Sequence, residues 1–149
     1  MNEEIENILH REDIQLASIS KRAMAFLIDD FLISLIIVFS FPEIATPNLT
    51  NEQILELVQS ILFEIILIKI FYQTFFIMQY GATIGKLAMK IRVIEVKTLQ
   101  NPNVLSSLNR AIFKIISLMA YGLGYLWGVF DPARQAWHDK TAKTLVVNA

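Results

Sequence analysis

The sequence predicts an all-α membrane protein: two transmembrane helices, a third broken hydrophobic segment, and a small two-stranded element on the cytoplasmic side. Three observations carry this. The 149 residues are 54% hydrophobic with a mean hydropathy of +0.48, too apolar for an ordinary soluble domain. Apolar stretches occupy residues 24–41, 54–78 and 111–130, and a helix of about 20 residues crosses the hydrocarbon core of a bilayer. Finally, Ile91–Val96 and Thr144–Val147 are β-branched runs of strand length.

Residues 1–20 read as an amphipathic leader lying at the membrane surface. Ile5, Ile8 and Leu9 fall at helical spacing, with Glu3, Glu4 and Glu6 on the other side. The leader is acidic and lacks the basic start and cleavage site of a signal peptide, so the first stretch is expected to stay as an anchor. That stretch carries Arg22 at its mouth and Asp29 and Asp30 inside, and Pro42 ends it. An ionisable group at that depth costs about 2.5–3.5 kcal/mol and normally faces a partner or a pathway. Arg22 and Asp29 share a helix face but stand about 10.5 Å apart along the axis. Arg22 leans toward its own N-terminus, away from Asp29 and toward the headgroups. Asp29 therefore needs another partner, and Lys69, Lys114, Arg110 and His138 are the candidates. Asp30, about 100° further round, faces headgroup water.

The second stretch opens on Thr50 or Asn51 as helix cap. Gln53, Glu56, Gln59, Ser60 and Glu64 share one face of a helix continued to Met78, while Lys69 and Gln73 lie opposite, one turn apart and able to pair. The third stretch is broken by Gly122 and Gly124 and stopped by Asp131-Pro132. The loop from Pro42 to Gln53 has no basic residue, whereas the central segment and the tail are basic. The positive-inside pattern puts the N-terminus, central segment and tail in the cytoplasm. It favours a third stretch that re-enters over one that spans. The two strands can pair only if they lie on one side.

Chemistry is sparse. There is no cysteine, no paired nucleophile and base, and no histidine cluster, so no enzyme, cofactor or metal site is expected. A net charge of −1 offers no field for nucleic acid. Gly81-Ala82-Thr83-Ile84-Gly85-Lys86 is one residue short of a phosphate loop, and Leu87 stands where a hydroxyl is required. Its glycines suit a tight exit from the second helix. Asp139, beside His138, suits a turn in which its carboxylate caps backbone groups.

These landmarks, in this order, resemble the RDD family of small bacterial membrane proteins, named for one arginine and two aspartates. Arg22-x-x-Ala25-x-x-Ile28-Asp29 matches the start of its first helix. Gly81-x-Thr83-x-Gly85-Lys86 running into Ile91-x-Val93 matches its central signature. Arg110 with Lys114 looks like the basic start of its last hydrophobic stretch, and His138-Asp139-Lys140 with Thr144-x-Val146-Val147 matches its close. The resemblance implies that Arg22, Asp29 and Asp139 are the family residues. It also implies a multi-pass protein of the bacterial inner membrane, and transport that includes monovalent cation/proton exchange. On that reading Asp29 and Glu64 bind H+ or Na+/K+, with Lys69 or Arg110 balancing the charge. Asp30, Gly81, Gly85, Lys86, Arg110, Lys114, Asp131 and His138 support them. Three hydrophobic stretches enclose no pathway alone, so a homo-oligomer or larger membrane complex is expected. The alternative is a non-catalytic membrane adaptor or assembly factor.

Overall fold

A computed structural model describes residues 2–45 and 48–149. Met1 of the leader and positions 46 and 47 of the first loop lie outside the described residues. In chain order the elements are α1 (Asn2–Arg11), α2 (Ile19–Ser40), a 3-10 turn (Pro42–Ala45), α3 (Asn51–Ser60), α4 (Leu62–Tyr80), α5 (Ile84–Ala88), β1 (Ile91–Glu95), α6 (Val104–Met119), α7 (Leu123–Phe130), α8 (Trp137–Thr141) and β2 (Thr144–Asn148).

Two helices, α2 and α4, are long and apolar enough to cross a membrane. The first starts five residues before the apolar run, because the Ser18 hydroxyl caps it by accepting from the Lys21 amide. Large apolar side chains recur every fourth residue on its outer face (Leu27, Phe31, Leu35, Phe39) and on that of α4 (Phe63, Leu67, Phe71, Phe75), all exposed. Such seams need lipid to cover them.

The second stretch is not one helix. It breaks at Ile61, and α3 opens on a reciprocal capping box between Thr50 and Gln53. The polar face read across Gln53 to Glu64 therefore belongs to two helices.

The third stretch begins earlier than its apolar composition suggests, at Val104. Asn103 caps it by accepting from the Ser106 amide, and Glu95 holds Asn103 and Ser106 from the end of β1. Two helices, α6 and α7, meet at 104° across Ala120–Gly122. The segment before α6 and the segment after α7 both belong to the same small cap, so the bent pair leaves and returns to one end of the bundle.

That cap is built on the sheet. The two strands pair antiparallel from Ile91↔Asn148 to Glu95↔Thr144. Leu16 bridges Val147, and the Ala17 amide donates to Val146 O at 2.9 Å, so the chain entering α2 lines the sheet edge. The Val93 amide donates to Gly81 O at 2.7 Å, tying the exit of α4 to the other edge. The leader's apolar stripe packs against the protein itself. Ile5 is buried with Ile94, Ala133, Leu145 and Val147, and Leu9 packs beside them. Burying an isoleucine against its own sheet contributes about 1.5–3 kcal/mol, which a helix floating at an interface would not gain from the protein.

Candidate functional site

Polar side chains converge where α2, α4 and α6 meet the cap, chiefly around two nodes, the buried carboxylates of Asp29 and Asp139, with ion pairs at Asp30–Lys69 and Asp131–Lys140. Asp29, 2% exposed, is the first node. It accepts from the Tyr72 hydroxyl at 2.8 Å, the Thr83 hydroxyl at 2.6 Å and the Gly85 amide at 2.8 Å. None of the expected basic partners bonds it. The reason is local: Gly81 ends α4 in the left-handed region (φ 67°), which swings Thr83 and Gly85 back across α2. A Cβ on Gly85 would collide with the Ala25 carbonyl and the Asp29 carboxylate, so only glycine permits this approach. Three donors leave Asp29 satisfied without a counter-ion.

Asp139, fully buried, is the second node. Arg22 donates to one carboxylate oxygen and Arg110 to the other, while the Ala136 amide donates at 3.0 Å. Arg22 also donates to Arg134 O, and Arg110 to the Thr144 hydroxyl. Arg22 is thus not a free headgroup anchor; it closes on a carboxylate near the other end of the chain. Burial by itself would raise the Asp139 carboxyl, but the charges of Arg22 and Arg110 outweigh it and hold the group well below the usual carboxylate range. Burial also keeps His138 well below its ordinary value, against the attraction of Asp139, so at neutral pH it is uncharged and its 3.6 Å approach to Asp139 is not an ion pair. The capping role expected of Asp139 is present, through Ala136. Nearby, Asp131 pairs with Lys140 and accepts from the Gln135 amide at 3.0 Å.

Asp30 has a basic partner that sequence spacing did not assign to it. It pairs with Lys69 at 2.9 Å, with side-chain exposures of 44% and 29%. Lys69 therefore does not pair with Gln73, whose side-chain oxygen accepts from Lys114 at 2.9 Å. A chamber of about 30 Å³ lies among Asp29, Asp30, Lys69, Gln73 and Lys114, room for one or two waters. Glu64 lies exposed on α4, away from the chamber lining. A larger cavity of about 410 Å³ opens beside the chamber and shares Phe26, Gln73, Lys114 and Leu118 with it. Lys86 lines it and is drawn down to about 7 by burial and by the charge of Lys114, against the pull of Asp29.

Sequence reasoning missed Tyr72, and it paired Gln73 with Lys69 where the structure gives it Lys114. A tyrosine in an apolar run reads as packing, and nothing local marks its hydroxyl as a donor to Asp29. Thr83 carried a signal, since it stands between the two glycines of the central motif. Among the described residues no group of three metal-donor side chains comes together.

Membrane-length apolar helices, lipid-facing seams and charged groups gathered inside define a small helical membrane protein. Within that class the chain belongs to the RDD family, whose sequence model matches residues 16–143. No curated protein and no solved structure matches it.

Proposed function

We propose that this chain works in membrane transport, exchanging protons for a monovalent cation at the Asp30–Lys69 pair. The observation that carries the reading is the water-sized chamber, which places a half-exposed carboxylate and its ammonium partner between two membrane-length helices. Ionisable side chains inside membrane helices are rare and commonly line ion pathways or proton relays. Asp29 is the weaker carrier, because its three donors already occupy the lone pairs that a cation would need. Asp30 has Lys69 as its salt-bridge partner. Hard cations take oxygen ligands, so Na+ or K+ entering the chamber competes with Lys69 for Asp30. For the site's charge to stay balanced, one proton leaves as the cation enters. Departure of the cation restores the pair and takes a proton back, so the site's charge stays balanced. On this reading the protein is not an enzyme. It sits in the bacterial inner membrane with its N-terminus and cap in the cytoplasm, and several copies or a larger complex complete the pathway.

Purified protein in vesicles decides it. Wild type is expected to dissipate an imposed pH gradient when Na+ or K+ is added, with Asp30→Asn at least about tenfold slower by the arithmetic of a lost charge-assisted contact. Asp29→Asn is expected to reduce folded yield instead. An absence of any ion-dependent signal, together with stoichiometric co-purification of another membrane protein, would replace exchange with the adaptor reading.

A further inference from the structure

The larger cavity is lined by four basic side chains, Arg22, Lys86, Arg110 and Lys114, and by no carboxylate among the described residues. Arg22 and Arg110 share the single charge of Asp139. The two lysines have weaker company. Lys86 donates to the Thr83 hydroxyl at 3.3 Å, and Lys114 to the neutral side chain of Gln73 while lying 5.3 Å from the centre of the Phe26 ring. Asp29, the nearest further carboxylate, is committed to three other donors. Positive charge therefore exceeds negative around the cavity, which repels a cation and leaves an anion's place open. Among the described residues, three lining side chains carry a polar atom with no hydrogen-bond partner: Arg110 Nε, His138 Nδ1 and the Tyr125 hydroxyl. Buried polar atoms are rarely left so without a ligand or water to meet them. The rest of the wall is apolar, and Leu27 and Leu118 carry it out to the exposed faces of α2 and α6.

We propose that this cavity binds an oxyanion carried on an apolar body, with Lys86 and Lys114 as the charges that hold the anionic head. Its volume of about 410 Å³ fits a small head group, within the range of small-molecule sites. The apolar wall running to the lipid-facing surface accommodates the body. Lysines suit this role because they bind phosphate-class groups as point charges. The same chemistry is offered by an anionic phospholipid arriving from the bilayer and by a soluble phosphate arriving from water. This site takes its charge from Lys86 and Lys114 rather than from the Asp30–Lys69 pair, although Lys114 also lines the chamber, so loss of exchange in Asp30→Asn and loss of anion retention in the lysine variants are read independently.

The test uses full-length protein in neutral detergent, with native mass spectrometry of retained phosphatidylglycerol against phosphatidylcholine, and inorganic phosphate as competitor. Wild type is expected to retain phosphatidylglycerol at least tenfold better than phosphatidylcholine. Lys86→Gln with Lys114→Gln should remove that preference, Lys86→Arg with Lys114→Arg should keep it, and Asp30→Asn should leave it unchanged. Displacement by millimolar-range inorganic phosphate assigns the soluble source; resistance to it assigns the lipid. If the glutamine variant does not fold, the wild type decides by salt, since retention must fall as ionic strength rises. Equal retention of the two lipids, or retention indifferent to both lysines and salt, overturns the proposal.

Discussion

Asp139 joins three parts of the chain that are remote in sequence: Arg22 at the start of α2, Arg110 in α6, and the turn before α8. Its depressed carboxyl sets an acid limit on the fold. The ordinary value is 3.8; below it the unfolded chain takes up a proton that the folded Asp139 still refuses. Its contribution is therefore complete at neutral pH and declines as pH falls below about 4, toward the folded value. Thermal unfolding in detergent should give a midpoint that starts to fall below about pH 6.5, where the unfolded chain protonates the imidazole that folded His138 keeps neutral, and that falls further in an acid limb below about pH 4. Asp139→Asn should lose about 3–5 kcal/mol at neutral pH, because it leaves two guanidinium groups short of their counter-charge. It should also flatten the acid limb, and an unchanged limb would show that other carboxylates set it. The identity of these residues was legible, since Arg22, Asp29 and Asp139 stand in an ordered motif. Their pairing was not. Helix geometry separates Arg22 from Asp29, but no local rule reaches a partner 117 positions away.

At the scale of elements, the leader shows that one amphipathic stripe is compatible with more than one surface. Ile5, Ile8 and Leu9 mark an amphipathic helix, and a bilayer and a protein core ask for the same stripe. What decides between them is the apolar face of the sheet, which exists only once β1 and β2 have paired. Ile5→Asp should detach α1 at a cost of about 2–3 kcal/mol. Limited trypsin digestion at Arg11 and Lys21 should then accelerate by an order of magnitude or more, while α2 and α4 stay intact. Unaltered digestion would mean that α1 is held by other contacts. The break at Ile61 was hidden for a related reason: apolar composition continues through it without proline or glycine. The bend at Gly122 was legible, because two glycines interrupt a run otherwise suited to spanning.

For the whole molecule, the sheet ties the start of α2, the end of α4 and the tail after α8 into one cap. All three must therefore lie on one side of any membrane that α2 and α4 cross. The sequence contains no cysteine, so single substitutions report cleanly. Glu3→Cys, Lys97→Cys and Ala149→Cys should label together from the cytoplasmic side, and Asn48→Cys from the other; labelling of Ala149→Cys with Asn48→Cys would break the cap and the re-entrant path of α6–α7. The sequence by itself determined the membrane class, the helical stretches, the strands and the family motif, because periodicity, length and residue order are properties of neighbours along the chain. Only the tertiary structure decided that Asp29 is held by neutral donors, that Arg22 and Arg110 share Asp139, and that Asp30 rather than Asp29 keeps a single basic partner. Those outcomes depend on which side chains meet when distant helices close on one another. Buried charges take the partner that packing brings within about 3 Å, not the one that spacing suggests.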